Sequence, residues 1–493
     1  MEFLLEIWKW FGSNVLTQPA YFIGLIVFIG YLLLKKPFYE AFAGFVKASV
    51  GYLILSVGSG GLVGNFRPIL VGLKDRFNLD AMVIDPYFGQ NAVQAAMEQV
   101  GKTFSQVMIL LLIAFIFNLL LVKFNKITKM RAVFTTGHVQ MQQAATAFWL
   151  IFFCFPELGS TPMLVIMSLL LGLYWATGSN LTVGIAQDLT DGGGFGVAHQ
   201  QMFALAIFSK LSEVFFGKKE GKKESKKIED IQLPGWMSIF NENMVSTAIL
   251  MTVFFGIILL ILGKPYLIEA KFLKETDSFL RYILTTSLNF AVYLAILQLG
   301  VRTFVTELTN SFQGISNTFL PGAVPAIDCA AVYGFGSPNA VTIGFLFGAL
   351  GQFLAIISLI AIKSPTIVIA GFVPVFFDNA TIAVFANNKG GVKAAMIFPF
   401  ISGLCQVYGS ALIATWVGLS GFGGYLGMWD WAVIWPIFTV LMKYAGYIGV
   451  AVVAIVLIAI PQIEYKKDPE GYFLCVDDYE AYKELKARRE SSK

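Results

Sequence analysis

Thr135-Thr136-Gly137-His138-Val139-Gln140-Met141-Gln142-Gln143 stands at the mouth of an apolar run that reaches residue 155. Hydrogen-bonding side chains so placed exclude an ordinary lipid-facing helix, because each would meet hydrocarbon without a partner. The chain has only two histidines, and the second repeats the local pattern of the first: His138-Val139-Gln140-Met141 is echoed by His199-Gln200-Gln201-Met202. Two such clusters suggest one site. On a helix His138 and Gln142 are four apart and share a face, whereas Gln140 points elsewhere. An imidazole and carboxamides suit a hydroxylated, neutral or singly anionic small molecule better than a multiply charged one, and an imidazole also moves protons near neutral pH. The alternative is that these groups satisfy one another, or the backbone, between packed helices.

The rest of the chain sets that stretch in a membrane. With 57% hydrophobic and 13% charged residues over 493 positions, and a mean hydropathy of +0.71, the sequence is far more apolar than a soluble protein. A net charge of +4 is no nucleic-acid signature, and the basic residues cluster in short loops as orientation signals do. Cys154, Cys329, Cys405 and Cys475 have no disulfide or metal spacing, so no metal site and no redox role are expected. No cleavable signal peptide is legible at the N-terminus. The first 18 residues, with Trp8, Trp10 and Phe11 beside Glu6 and Lys9, read as an amphipathic segment lying at the membrane surface.

Apolar runs long enough to cross a bilayer fall near 19–34, 43–64, 105–122, 138–155 and 162–180, then near 244–262, 281–299, 338–361, 365–387, 393–419 and 436–460. The expectation is an all-α polytopic membrane protein of about eleven transmembrane helices. Pro374, Asp378 and Asn379 make the run at 365–387 a bent or re-entrant element. Lys35-Lys36, Lys123 to Arg131, Lys218 to Lys227 and the tail around Lys486 to Arg489 belong on the cytoplasmic side, which leaves the N-terminus periplasmic and the C-terminus cytoplasmic. The hydrophilic stretch at 217–232 divides a first half, 1–216, from a second, 233–460, and 461–493 is a charged tail. That linker is either a hinge or docking strip for a soluble partner, or a solvated connector.

The halves resemble each other weakly. Gly58 leads to Asp85 and Gly300 to Asp328 at nearly equal spacing, with Asn91-Ala92-Val93 and Asn339-Ala340-Val341 following. Gly137-His138-Val139 with Ala145-Thr146 recurs as Gly371-Phe372-Val373 with Ala380-Thr381. Five spans repeated once come back inverted, giving two inverted five-helix repeats plus one helix, a transporter design with its site near the midplane.

Asp328 lies in the nearly apolar Pro325-Ala326-Ile327-Asp328-Cys329-Ala330-Ala331, where an ionised carboxylate costs roughly 2.5–3.5 kcal/mol at a helix centre. It either accepts hydrogen bonds or a proton from a ligand, or caps a helix. Asp85-Pro86-Tyr87 is its counterpart, with a phenol that is either a ligand donor or an interface anchor. Gly58-Ser59-Gly60-Gly61 and Asp191-Gly192-Gly193-Gly194 bring backbone close to a ligand or another helix. Neither matches a phosphate loop, so no nucleotide cofactor is expected. Gly178-Ser179-Asn180 and Phe377-Asp378-Asn379-Ala380-Thr381 read as polar breaks, and Arg302 with Glu307 as a structural pair or interfacial anchors.

Several motifs occur in order: Thr136-Gly137-His138, Gly196-Val197-Ala198-His199-Gln200-Gln201, Leu233-Pro234-Gly235-Trp236, Gly314-Ile315-Ser316, Pro321-Gly322-Ala323, Ala326-Ile327-Asp328-Cys329-Ala330-Ala331 and Asn379-Ala380-Thr381. Together they resemble the ascorbate-specific permease, enzyme IIC component, of the bacterial phosphoenolpyruvate-dependent phosphotransferase system, to about residue 460. The resemblance implies uptake of L-ascorbate through the inner membrane, coupled to phosphorylation of its C6 hydroxyl by soluble enzyme IIB, a phosphocysteine donor, and enzyme IIA. It also implies an eleven-helix homodimer in the lipid bilayer, with a core that moves against a scaffold. The ligand contacts it implies fall on Tyr87, His138, Gln142, His199, Gln200 and Asp328, with Asp328 and His138 as candidate proton acceptors. Pro86 and Asp378 depart from the family's Thr and Ser. An ion-driven secondary transporter and a related sugar or polyol permease are the competing readings.

Overall fold

A computed structural model describes residues 19–77, 80–217, 226–230, 234–236, 239, 242–320 and 323–491. The expected surface segment over the first 18 residues and most of the 217–232 linker lie outside them. In hydrocarbon every backbone N–H and C=O must be bonded within the protein, which drives so apolar a chain into helices. The long ones are α1 (Pro19–Leu33), α2 (Phe38–Phe77), α3 (Pro86–Gln99), α4 (Ser105–Lys123), α5 (Gly137–Cys154), α6 (Ser160–Thr190), α7 (Met202–Phe216), α8 (Asn243–Leu262), α9 (Phe279–Phe319), α10 (Pro338–Ala361), α11 (Asn379–Trp416) and α12 (Trp429–Lys467). Among the described residues, six stretches are long and apolar enough to cross a membrane: Phe38–Gly58, Ser105–Lys123, Ser160–Thr190, Asn339–Ala361, Pro374–Trp416 and Trp429–Lys467. The chain is a mostly helical, multi-pass membrane protein.

Ten of the eleven expected runs fall on helices, and the run at 365–387 is broken as its Pro and polar residues predict. Several helices overshoot their runs, α2 continuing to Phe77, α6 to Thr190, α9 to Phe319 and α12 to Lys467. Polar residues end an apolar run without ending a helix when their side chains find partners. Asn65 does so on α2, donating to the Thr286 carbonyl at 2.7 Å. The Gly58–Gly61 stretch lies inside α2, where a Cβ on Gly61 would stand 2.1 Å from the Tyr293 ring. It serves a close helix crossing rather than a ligand.

The fold is not purely α-helical, contrary to the all-α expectation. Among the described residues six short strands, β1 (Asp80–Ile84), β2 (Ala132–Phe134), β3 (Gly196–Val197), β4 (Val324–Ile327), β5 (Thr366–Ala370) and β6 (Gly424–Tyr425), form two parallel sheets ordered β5-β1-β6 and β2-β4-β3. Ala81 pairs with Ile367 in the first, and Val133 with Pro325 in the second. Exchanging β1 with β4, β2 with β5 and β3 with β6 turns one strand order into the other. Each sheet therefore takes its central strand from one half of the chain and its flanking strands from the other. The backbone groups of these non-helical segments are bonded across the sheets, which makes them tolerable at depth.

A π-helical turn at Pro374–Asp378 follows β5. It matches a one-residue difference between the halves: Gly137 leads to Ala145 in eight steps and Gly371 to Ala380 in nine. A π turn is how a helix absorbs one extra residue. Further along, α11 breaks at Gly391, with φ 69° and ψ −162°, a conformation that requires glycine. The amide of Val392 just past the break bonds to Lys226 of the linker's end at 2.9 Å.

The helices sort into two groups. One comprises α1, α2, α8 and α9; the other holds α3 to α7, α10 to α12 and both sheets. They meet where α9 touches α5, where α2 touches β1 and α3, and where α1 touches α4. Within the first group Glu307 accepts from the Tyr31 hydroxyl at 2.6 Å and pairs with Lys47 at 3.3 Å, so it ties α9 to α1 and α2. Its expected partner Arg302 has no described side chain. In the second group α10 and α11 cross backbone to backbone: a Cβ on Gly403 would stand 2.3 Å from the Gly348 carbonyl.

The tail forms two more helices, α13 (Gly471–Asp477) and α14 (Tyr479–Ser491). Tyr479, Lys483 and Lys486 share one face of α14 and meet the end of α6. Lys483 pairs with Asp191 at 3.2 Å, and Lys486 with Asp188 at 2.8 Å, while Lys389 of α11 holds the other Asp188 oxygen at 2.5 Å. A Cβ on Gly192 would run into the Tyr479 ring, so the Asp191–Gly194 stretch is a helix-ending turn that seats the tail. Arg131, just before β2, donates to the Tyr472 carbonyl, lies 3.7 Å over the Tyr472 ring and reaches Cys475 Sγ at 3.3 Å. Burial pushes the Cys475 thiol up, against the opposing pull of Arg131. Slow alkylation of Cys475 by a maleimide is therefore expected. Lys486→Glu sets like charges against each other at Asp188 and should raise that rate about tenfold by opening the tail locally. Equal rates in parent and variant, read by peptide mass mapping, would show that Asp188 does not hold the tail.

Candidate functional site

Because β2, β4 and β3 are parallel, their C-terminal ends open on one side of the sheet. Pairing continues one residue further, the Thr135 amide and hydroxyl both reaching the Ala326 carbonyl at 3.0 and 2.7 Å, and the Ala198 amide reaching that of Ile327 at 2.8 Å. The chain then leaves β2 as α5, with His138 in its first turn. It leaves β4 through Asp328 into a 3-10 turn at Cys329–Gly334, and β3 through His199-Gln200-Gln201 into α7. Three segments far apart in sequence thus deliver both histidines and Asp328 to one edge.

Asp328 uses its two oxygens differently. Oδ1 accepts from the Ala330 amide at 2.8 Å and caps the turn, while Oδ2 stands 3.5 Å from His138 Nε2. The capping reading is met by Oδ1, and Oδ2 is left facing His138. The rings of His138 and His199 lie 6.4 Å apart, nearly edge to face. Gln200 Nε2 donates to Gln142 Oε1 at 2.9 Å, and the Tyr87 hydroxyl faces Gln142. All six residues singled out in the sequence, Tyr87, His138, Gln142, His199, Gln200 and Asp328, are in this cluster. Tyr87, Gln142, Gln200 and His199 are buried, whereas the Asp328 side chain is 37% exposed, so the cluster opens at the carboxylate.

A stiff frame stands behind it. Gln140 points away, as its spacing predicts, and donates to the Phe134 carbonyl at 3.2 Å. Gln143 donates to the His199 carbonyl at 3.1 Å and accepts from Trp175 Nε1 at 2.6 Å. Gln201 Nε2 donates to the Phe377 carbonyl at 3.2 Å, so its oxygen faces His199 Nδ1, 2.6 Å away. That oxygen can only accept, which puts the proton on Nδ1 and leaves a lone pair on Nε2 of His199. Within the cluster His138 Nδ1 and Gln200 Oε1 are buried without a protein partner. One ring nitrogen from each histidine and one oxygen of Asp328 lie within 4.8 Å of one another.

Sequence reasoning missed the anchors. Asp430 on α12 accepts from the amides of Phe203 and Ala204 at 3.0 and 3.1 Å and from the Tyr174 hydroxyl at 2.8 Å, holding the N-terminus of α7 directly behind the His199 loop. Asp378 in turn accepts from the Trp429 amide at 2.7 Å and from Gln406 at 2.6 Å, holding the start of α12. Both use a carboxylate against the positive end of a helix. An acid between Trp429 and Trp431 in an apolar setting was the available signal. Asp85 works likewise, accepting from the Tyr87 amide at 3.0 Å and that of Val373 at 3.4 Å, with Pro86 in the first helical position. Gly178-Ser179-Asn180 is no break: it lies inside the unbroken α6, where Asn180 accepts from Arg131 at 3.2 Å.

A multi-pass chain whose short strands and interrupted helices gather a half-open cluster of donors and acceptors in its interior is built as a solute permease. More narrowly, residues 14–434 match the family described as the PTS system sugar-specific permease component, EIIC-GAT, and the chain belongs to that family. It is similar to the ascorbate-specific PTS system EIIC component of Mycoplasma pneumoniae, being 32% identical over 446 aligned residues that cover 82% of this chain and 66% of that protein. The match thus spans slightly less than two thirds of the relative's length.

Proposed function

We propose that this protein carries L-ascorbate inward across the bacterial inner membrane as the IIC component of a phosphotransferase system, delivering it as L-ascorbate 6-phosphate. The observation that carries this reading is the convergence of Tyr87, His138, Gln142, His199, Gln200 and Asp328 at one sheet edge, in a chain similar to an ascorbate-specific relative. His138 and the carboxamides offer donors to an enediol monoanion, while the His199 Nε2 lone pair and the Asp328 carboxylate accept from its hydroxyls. Soluble IIB supplies the phosphoryl group: the S–P bond of its phosphocysteine breaks as the O–P bond at C6 forms, and the hydroxyl proton passes to Asp328 or a histidine. IIA recharges IIB. The product, which adds a phosphate dianion to the enediol's charge, no longer suits the carboxylate and leaves.

In this reading the sheet-bearing helix group moves as a core against α1, α2, α8 and α9, in a homodimer with eleven crossings per chain, periplasmic N-terminus and cytoplasmic C-terminus. The exchange relation between the two strand orders supports halves 1–216 and 233–460 as inverted repeats, flanking the 217–232 linker and followed by the 461–493 tail. The test is uptake of labelled ascorbate into cells expressing this chain with and without IIA and IIB, followed by chemical analysis of the internal label. Partner-dependent ascorbate 6-phosphate is the expected result. The 3.5 Å approach of His138 to Asp328 also favours a second reading, a proton relay in an ion-coupled transporter. Free ascorbate accumulating without partners, and collapsing with the proton gradient, would establish that instead. Stronger competition by another sugar or polyol would reassign the substrate.

A further inference from the structure

Both imidazoles of the chain stand beside its half-open carboxylate. We propose that in the absence of substrate His138, His199 and Asp328 bind a divalent transition-metal ion, and that the bound metal excludes the substrate. The proposal rests on the reading of this cluster as the substrate site.

The donor set is the first reason. Two neutral imidazoles and one carboxylate are ligands for zinc and its first-row neighbours, and unsuited to magnesium or calcium, which take oxygen. The second reason is orientation. Metal-bound histidines characteristically donate their other ring N–H to a fixed acceptor. His199 does so here through Nδ1 to Gln201 Oε1 at 2.6 Å, and Gln201 is itself pinned by the Phe377 carbonyl at 3.2 Å. The Nε2 lone pair is thereby fixed before any ligand arrives. A plain histidine–aspartate ion pair would account for His138 but not for this second, separately oriented imidazole.

Spacing is the third reason. Tetrahedral ligands about 2.0–2.1 Å from a zinc ion stand roughly 3.4 Å apart. His138 Nε2 and Asp328 Oδ2 are already at 3.5 Å, and one ring nitrogen of each histidine and one Asp328 oxygen lie within 4.8 Å of one another. Small side-chain rotations close the remainder. The ligands come from three chain segments ending at one sheet edge, so the frame needs no rebuilding, and the opening at Asp328 leaves a fourth position for water. Because the metal takes the same lone pairs that substrate hydroxyls would use, the two compete.

Calorimetric titration of the full-length protein in detergent, free of ascorbate, with Zn2+ tests this. One zinc per chain is expected, removable by EDTA, with no heat from Mg2+. His138→Ala and His199→Ala should each weaken binding about tenfold or more, and Gln201→Ala about 10- to 100-fold through lost orientation. His199→Gln, which keeps an amide facing Gln201, serves if the alanine variant misfolds. Binding of labelled ascorbate should fall with zinc, the half-inhibitory zinc concentration rising with ascorbate. No zinc binding, zinc binding unchanged in both histidine variants, or undiminished ascorbate binding at saturating zinc would each overturn the proposal. Zinc bound through the histidines with no ascorbate binding at all would overturn the proposed function and leave the metal site standing.

Discussion

Asp328→Asn and His138→Ala should each lower partner-dependent uptake of labelled ascorbate on the order of 10- to 100-fold, the loss of one charge-assisted hydrogen bond in a half-buried site. Protein yield and melting temperature should stay close to the parent's. The separation of the two effects follows from how Asp328 is used. Asparagine keeps a carbonyl oxygen for the Ala330 amide, so the cap on the 3-10 turn survives. What disappears is the negative oxygen 3.5 Å from His138 Nε2. His138 has no protein partner on Nδ1, and its Nε2 faces Asp328, whose side chain is half-exposed, so truncating it leaves no donor or acceptor of the frame unmatched. Since the two residues address one ligand, the double variant should lose less than the product of the two single losses. Near-normal uptake in both single variants would remove this cluster from transport altogether.

The cluster was legible in sequence because membrane interiors punish polar groups without partners, which makes a histidine or aspartate at the mouth of an apolar run conspicuous. His138 and Gln142 at helical spacing, the echo at His199-Gln200 and the isolated Asp328 all carried that signal. The break after Pro374 was legible for the same reason. The sheets were not. Strands of two to five residues, such as Gly196–Val197 and Thr366–Ala370, are too short to display a period of two, and a brief apolar run does not distinguish strand from helix. Nor was the continuity of α6 through Gly178-Ser179-Asn180, because the Arg131 contact that satisfies Asn180 comes from elsewhere in the chain. Local sequence shows that a polar group needs a partner. It does not show whether that partner is a ligand or another part of the protein.

Asp430→Ala is where that distinction has the largest structural consequence. This carboxylate is fully buried and is accepted into no solvent-facing network; its partners are the Phe203 and Ala204 amides and the Tyr174 hydroxyl. Alanine leaves three buried donors without acceptors, a loss of roughly 3–9 kcal/mol at about 1–3 kcal/mol for each stranded group. In a chain of this length that should lower the melting temperature by about 3–9 °C. The damage is directional. Phe203 and Ala204 open α7 immediately after His199-Gln200-Gln201, so freeing that helix end lets the loop drift and breaks the Gln201 contact that orients His199. Asp430→Asn keeps one carbonyl oxygen for an amide but turns an NH2 toward the other donors, and should fall between the parent and alanine. The two kinds of defect are thus separable in one experiment. Melting curves of purified protein should drop for Asp430→Ala and hold for Asp328→Asn, while uptake drops in both. An Asp430→Ala protein as stable as the parent would mean that the α7 terminus finds its acceptors elsewhere, and that Asp430 is not the anchor of the His199 loop.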